Sequence, residues 1–181
     1  TGTAADTYIQ LDQAGASASW NGWDDTAPTA SVFSLGSYDD VNGPSDTYIA
    51  YCFHSVDGFS KVGSYVGNGN ADGTFVYTGF RPKWIMVKST TNVSSPYMGW
   101  CIIDAETMSF NADEQGTQLW ANAAYIQGTR GNGSADATVG NFDLLSNGFK
   151  LRSNLVEVNY SGQQFIYLAF AEQPFKYSNA R

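Results

Sequence analysis

The sequence predicts an all-β protein, specifically an antiparallel β-sandwich. Three observations support this: the composition, the spacing of turn residues, and a hairpin pattern that occurs twice. Aromatic residues make up 15% of the 181 residues and charged residues only 14%, whereas a globular protein is typically about 25% charged. Aromatic and β-branched side chains suit pleated strands. The scarcity of strong helix formers argues against a helical bundle.

Short strand-like runs alternate with turns rich in Gly, Asn, Asp and Ser, the spacing of sandwiches and barrels. The predicted strands cover residues 7–11, 31–35, 47–53, 74–78, 83–88, 100–103, 142–145, 148–151 and 164–172. Along 83–88 the side chains point alternately to two faces, Trp84, Met86 and Lys88 to one and Ile85 and Val87 to the other. The runs 47–53 and 165–170 are apolar on both faces, which favours central strands. Only residues 106–112 and 119–124 are compatible with a helical turn.

The repeated hairpin covers residues 32–59 and 148–175. Each copy has a short strand, a polar turn containing Val-Asn (Val41-Asn42 and Val158-Asn159), and a long apolar-aromatic strand. Two copies are too few for a solenoid. The pattern fits two related hairpins in one sandwich, or the tail of one module followed by a second module. Because the stretch before the first copy is short, we expect a single domain over residues 1–181.

Charge excludes several classes of partner. The formal net charge is −8, from 17 acidic and 9 basic residues, with no cationic cluster of the kind that binds nucleic acid. The same argument disfavours an anionic membrane surface. No run approaches the roughly 18 apolar residues of a membrane-spanning helix. We therefore expect no nucleic-acid partner and no membrane insertion.

Several blocks of the sequence resemble bacteriophage tail-fibre and virion proteins, especially those of marine phages. The blocks are DTYIAYCFHSVDGFSKVGSY (46–65), GNG (67–69), TGFRPKWIMVK (78–88), WCIID (100–104), GFKL (148–151) and AFAEQPFKY (169–177). The likeness begins near residue 31, and residues 1–30 match less clearly. It implies a concanavalin-like lectin sandwich of jelly-roll type, displayed on a virion fibre and extracellular after release. It also implies a homo-oligomer, a trimer being favoured, in contact with other virion proteins.

Catalytic chemistry has little support in the sequence. His54 is the one histidine, and no GxSxG nucleophile elbow accompanies it. Glycoside hydrolysis needs two carboxyl groups across the scissile bond, and Asp104-Ala105-Glu106 is the nearest approach. We expect a protein that is not an enzyme, with a glycan depolymerase as the less favoured alternative.

Metal and thiol chemistry are also thinly supported. Cys52 and Cys101 lie in strand-like surroundings without a Cys/His cluster, so a zinc site is not expected. Two buried free thiols are the favoured interpretation, and a Cys52–Cys101 disulfide is the alternative. Oxygen ligands suited to Ca²⁺ occur at Asp24-Asp25, Asp39-Asp40 with Asn42, and Asn68-Asn70-Asp72. Asp and Asn also form turns through their own backbone, so we expect no cofactor, with calcium as an alternative.

Carbohydrate binding requires exposed aromatic faces flanked by amide or carboxylate groups. Two stretches have this composition, and their candidate ligand-binding residues are Trp20, Trp23, Asp24, Asp25, Trp120, Asn122 and Tyr125. Trp84 and Trp100 lie in strand patterns and are expected to be core or half-buried packing.

The sequence therefore predicts a non-enzymatic virion surface domain that recognises a host cell-surface glycan, with several copies per fibre supplying avidity. The main alternative is a purely structural virion domain without a ligand. That alternative predicts Trp20, Trp23 and Trp120 buried in the fold or at a subunit contact.

Overall fold

The computed structural model describes residues 5–91, 98–107, 111, 117–130, 133 and 142–174. It is almost all β, with antiparallel pairing in every sheet. A five-stranded sheet packs against a three-stranded sheet, and a two-stranded ribbon precedes them. The predicted antiparallel β-sandwich is confirmed.

The strands are β1 (Thr7–Tyr8), β2 (Ala18–Ser19), β3 (Ser60–Val66), β4 (Phe75–Tyr77), β5 (Pro82–Ser89), β6 (Cys101–Asp104), β7 (Leu119–Trp120), β8 (Phe142–Leu145), β9 (Gly148–Leu151) and β10 (Gln164–Ala171). Two four-residue helices are α1 (Asp39–Asn42) and α2 (Val156–Asn159), and a 3-10 helix covers Asn21–Trp23. The large sheet has the order β3-β10-β5-β6-β7, and the small sheet has the order β4-β9-β8. No helix among these residues has the length and apolar character needed to cross a bilayer.

The core lies between the two sheets. Strand β10 contributes Phe165, Tyr167 and Ala169 to it, and β9 contributes Phe149 and Leu151 from the opposite sheet. The side chains between them on β10 face the outside of the sandwich and are half-buried. Since β10 pairs with both β3 and β5, the prediction of a central strand here is confirmed.

The outer face of the large sheet is partly covered by the N-terminal segment. Lys88 points away from the core, and its Nζ donates hydrogen bonds to the carbonyl oxygens of Ala14 (3.0 Å) and Met98 (3.1 Å). Ser17 Oγ donates to the Thr90 carbonyl at 2.8 Å. These bonds hold residues 14–17 across the end of β5.

Two predicted strands are wrong. Residues 31–35 and 47–53 are extended or irregular chain without strand pairing, and the 47–53 segment is exposed. A strand needs a neighbour to satisfy its backbone, and the sequence pattern of 47–53 cannot show whether one is present. Conversely, β3 has no apolar run and was not predicted, although it pairs with β10 over seven residues.

Smaller corrections concern the strand at residues 7–11 and the expected helical turns. Of the predicted strand 7–11, only Thr7–Tyr8 forms a strand, β1. Leu119–Trp120 forms β7 against β6 instead of a helical turn, because Trp120 fills a core position. The other predicted turn, 106–112, falls largely on residues 108–110 and 112, which lie outside the described residues. The four-residue helices α1 and α2 were not predicted.

Both cysteines are free thiols, so the alternative of a Cys52–Cys101 disulfide is wrong. Cys101 lies in the core on β6, as expected. Cys52 is exposed, and its expected burial is wrong because the 47–53 segment is not a sandwich strand.

Candidate functional site

Four aromatic rings form a cluster on the N-terminal ribbon, with Trp20 at its centre. The Trp20 ring centroid lies 5.1 Å from that of Tyr8, 5.4 Å from Trp23 and 5.3 Å from Tyr38. The interplanar angles of 56°, 86° and 61° are tilted or edge-to-face, which are favoured arrangements for aromatic pairs. We call Tyr8, Trp20, Trp23 and Tyr38 the Trp20 cluster.

Two glycines permit the backbone that builds this cluster. A Cβ atom on Gly22 would lie 2.2 Å from the Trp20 ring, so the ring packs directly on the Gly22 backbone. A Cβ atom on Gly36 would lie 2.1 Å from the Asn21 carbonyl oxygen, where the two chain segments join through the Gly36 N–H bond to the Gly22 carbonyl (2.8 Å). The Trp20 loop is therefore docked against residues 36–38.

The ribbon fixes the cluster from the other side. Pairing of β1 with β2 places Tyr8 opposite Ala18, two residues before Trp20. The indole Nε1 of Trp23 donates to the Thr7 carbonyl oxygen at 3.1 Å. The bond to Thr7 orients Trp23 through the indole N–H at the edge of its ring.

The cluster is only partly buried. Trp20 and Trp23 are half-buried, while Tyr38 is 48% exposed. Asp24 and Asp25 follow Trp23 directly, are exposed, and have φ angles of 53° and 45° in the left-handed region. Asp tolerates this conformation better than most residues. Exposed carboxylates thus directly follow a partly open aromatic residue in the chain, and these groups together can stack on a pyranose and accept its hydroxyl hydrogen bonds.

The second predicted group does not form one surface. Trp120 is 5% exposed, lies in the core, and donates from Nε1 to the Thr129 carbonyl at 2.7 Å. Its ring is therefore not available to a ligand. Asn122 accepts a hydrogen bond from the Trp100 backbone N–H at 2.7 Å, and Tyr125 is exposed. Ligand binding by Asn122 and Tyr125 stays a prediction.

The other two tryptophans pack as predicted. Trp84 is half-buried and its ring centroid lies 5.7 Å from that of Phe170. Trp100 is half-buried and donates from Nε1 to the Gln10 carbonyl at 2.8 Å, so it anchors the N-terminal segment.

The three acidic or amide segments have local structural roles. Asp24 and Asp25 follow the 3-10 helix, Asp39, Asp40 and Asn42 lie in α1, and Asn68, Asn70 and Asp72 form a turn after β3. In the loop after β3, Asn68 Oδ1 accepts from the Asn70 N–H and Asn70 Oδ1 accepts from the Asp72 N–H. Asp72 pairs with Lys150 (2.7 Å) and Arg152 (3.3 Å), and the bond from Lys150 lowers the pKa of that carboxyl. Within the described ranges no three His, Cys, Asp or Glu side chains come together as metal ligands.

The residues considered for catalysis, His54, Asp104 and Glu106, each make a local structural contact. His54 is exposed, and its Nδ1 lies 3.0 Å from the Ser55 carbonyl oxygen. Asp104 Oδ1 accepts from the Glu106 N–H at 2.9 Å, which forms a turn after β6. Glu106 forms an ion pair with Lys83, and the hydrogen bond from Lys83 lowers the pKa of Glu106. A lowered pKa is opposite to what a glycosidase general acid needs.

Sequence reasoning missed Tyr8 and Tyr38 as members of the cluster. Tyr8 lies in the predicted strand 7–11 and Tyr38 is one aromatic residue in a polar stretch. The pairing of β1 with β2 that brings Tyr8 to Trp20 has no sequence signature. Tyr38 reaches the cluster through the contact of Gly36 with Gly22, which only the folded chain shows.

Comparison of the sequence with models of known protein families gives a match over most of the chain. The model of one family, described as a domain of unknown function (DUF7483), matches residues 1–174. The chain belongs to the DUF7483 family. The match includes the Trp20 cluster as well as both sheets of the sandwich. No curated protein and no solved structure matches the chain.

Proposed function

We propose that this DUF7483 domain is a non-enzymatic surface domain of a bacteriophage tail fibre or virion that binds a host cell-surface glycan. The resemblance of residues 46–65 and the other blocks to phage fibre proteins supports the virion location. The partly open Trp20 cluster beside Asp24 and Asp25 supports glycan recognition, and it is the observation on which the proposal rests.

The chemistry of the cluster favours a neutral sugar. Trp23 and Tyr38 offer ring surface, and carboxylates accept hydrogen bonds from sugar hydroxyls. The net charge of −8 opposes an anionic polysaccharide unless a cation bridges it to the protein. We therefore propose hexose or deoxyhexose units without acidic groups as the ligand class.

We further propose that the sandwich is of the concanavalin-like jelly-roll type and that the protein acts as a homotrimer. A shallow site of partly exposed rings binds weakly, and several linked sites raise the overall affinity by avidity. Weak individual sites are consistent with reversible attachment to a cell surface.

The test is binding of the purified protein to host cells and their extracted neutral polysaccharides, with and without EDTA. We expect saturable binding that Trp23→Ala weakens at least roughly tenfold, which corresponds to about 1.4 kcal/mol. Tyr77→Ala is the matched control, because Tyr77 is an exposed aromatic residue on β4 outside the cluster. Absence of binding across a broad panel, or equal loss in both variants, would overturn the proposal.

A purely structural virion domain is the second candidate. It is favoured by the exposed apolar side chains between residues 32 and 53, and by the enclosure of Trp20 among three other rings. It predicts that the intact protein binds no glycan and that Trp23→Ala changes stability alone.

A further inference from the structure

The helical turn at the centre of each repeat copy has the same local structure. Only the second copy has strands on both sides of that turn, β9 and β10, and these lie in opposite sheets. Helices α1 and α2 occupy equivalent positions in the repeat, and each follows an extended residue, Tyr38 (φ −78°, ψ 131°) or Leu155 (φ −74°, ψ 149°). The residues after the helices, Gly43 and Tyr160, both have φ −62°, with ψ 139° and 132°. The likeness of the sequences therefore extends to the backbone.

The hydrogen bonds of the two copies also correspond. The N–H group of the last helical residue donates to the residue before the helix in each copy, Asn42 to Tyr38 (2.8 Å) and Asn159 to Leu155 (2.9 Å). The side-chain Nδ2 of the same asparagine donates at 2.8 Å to the carbonyl of Gly36 in the first copy and Ser153 in the second. Equivalent turn bonds follow, Asp46 to Gly43 (3.2 Å) and Gln163 to Tyr160 (3.1 Å).

Only the second copy is completed by the rest of a sandwich. Asn159 Oδ1 accepts from the Asn68 N–H (2.9 Å), and its Nδ2 also donates to Asn68 Oδ1 (3.0 Å) and the Asn70 carbonyl (2.8 Å). The loop after β3 is thereby fastened to α2. Asn42 is exposed and, within the described part of the chain, its side chain holds only the bond to Gly36.

The long apolar segment at the end of each copy shows the same contrast. In the second copy it is β10, paired on both sides, with Phe165 and Ala169 fully buried. Their equivalents in the first copy are Tyr48, which is 45% exposed, and Cys52, which is also exposed. Ile49 and Tyr51 are each 81% exposed. Among the residues that the structure describes, none pairs with the 47–53 segment in a sheet.

An exposed apolar segment with unpaired backbone groups is a template on which strands of another module can pair. The repeat has two copies, but the described residues contain only one set of the strands β3–β8 on which a copy could pack. In that set, β10 already lies between β3 and β5. A second molecule of this chain therefore offers no vacant place unless its own β10 leaves. What the first copy lacks is an additional set of strands like β3–β8.

We propose that residues 32–55 are the equivalent of β9, α2 and β10 in a second sandwich, and that strands equivalent to β3–β8 from a neighbouring module of the same kind cover the 47–53 segment. The hairpin lies directly before β3, joined to it by the turn at the Val56–Ser60 bridge. The last strand of one sandwich thus leads into the first strand of the next, giving a head-to-tail array. This is the second of the two arrangements that the sequence repeat permits.

The test is a two-module chain in which residues 57–147 are copied ahead of residues 32–181. Because this chain lacks the N-terminal segment that contacts Lys88 and Gly36, a chain of residues 32–181 alone is compared beside the original chain and should show the same fast labelling. Readouts are the rate of thiol labelling at Cys52, located by peptide mass spectrometry, and amide hydrogen exchange of residues 47–53. In the original chain we expect fast labelling and fast exchange. In the two-module chain we expect both to slow at least roughly a hundredfold, toward the protection of residues 164–170.

Two variants of the two-module chain control the result. Tyr48→Asp places a charge at the position equivalent to the fully buried Phe165, so it should restore fast Cys52 labelling. Ser45→Asp is at an exposed position equivalent to Gly162 and should leave Cys52 protected. Residues 164–170 report that the original sandwich remains folded in every variant.

Three outcomes would overturn the proposal. The first is equal Cys52 labelling in the original and two-module chains, including the case in which the added strands do not fold on the hairpin. The second is Cys52 protection that persists with Tyr48→Asp. The third is a dimer of the original chain in which Cys52 is already protected, since a second copy of this chain would then be the occupant.

Discussion

Arg130 forms a two-pronged ion pair with the buried carboxylate of Glu157. Its Nε lies 2.7 Å from Glu157 Oε1 and its terminal guanidinium nitrogen lies 3.1 Å from Oε2. The Glu157 side chain is fully buried, while Arg130 is partly exposed. The pair joins the segment after β7 to helix α2 at the edge of the core.

Removing the arginine should destabilise the protein strongly. Arg130→Ala leaves a buried carboxylate without its partner, and such a change typically costs about 3–5 kcal/mol. Lys83→Ala is the control, because Lys83 and Glu106 form an exposed ion pair that solvent screens, so its loss should lower the stability much less. Urea unfolding measures both values, and equal stabilities of the two variants would contradict the prediction.

Equivalent asparagines in the repeat should differ in their contribution to stability. Asn159→Ala removes from the buried Asn159 the acceptor of the Asn68 N–H and three donor contacts, so we expect a loss of about 1–3 kcal/mol. Asn42→Ala removes one exposed bond to Gly36 and should cost less than about 1 kcal/mol. Chemical denaturation measures both losses of stability, and equal losses in the two variants would contradict the prediction.

Lys88 should make stability depend on alkaline pH. Burial lowers the pKa of its ammonium to about 8 in the folded protein, against about 10.4 in an unfolded chain. The unfolded state therefore binds more protons between these values, and stability rises with pH from about 8 to about 10.4.

Lys88→Met removes this contribution. Burial raises the pKa of Tyr65 and of Tyr167, but both tyrosines are present in the wild type and the variant, so their effect cancels in the difference between the two proteins. The free energy of unfolding of the wild type minus that of the variant should be constant below pH 8. It should then increase by about 3 kcal/mol up to pH 10.4. A difference that stays flat across this range would contradict the lowered pKa.

The two thiols should react at very different rates. Burial, together with the negative charge of Glu157, raises the pKa of the Cys101 thiol, and thiolate is the reactive form. Cys52 is exposed. A colorimetric thiol reagent should therefore titrate one thiol in the native protein and two in denaturant. Protection of both thiols in a monomeric native protein would contradict the exposed position of Cys52.

Period-two alternation and turn chemistry are local properties, and they sufficed for the sandwich class and for most of its strands. Residues 142–145 and 148–151 were predicted with the bounds of β8 and β9, because Ser-Asn-Gly between them favours a tight hairpin. The Trp20 loop was likewise predicted from its composition, since Gly and Asp next to tryptophan disfavour a strand.

Burial and pairing depend on residues far apart in the chain, and there the sequence was insufficient. The 47–53 segment and β10 have nearly the same pattern, yet only β10 has partners on both sides. Trp120 and Trp23 were equal candidates for ligand contact, but the inward face of β7 takes Trp120 into the core. Local patterns thus specified which segments can form strands and loops. The tertiary structure decided which of them are paired, because a backbone hydrogen bond between strands requires a neighbouring strand that the local sequence does not identify.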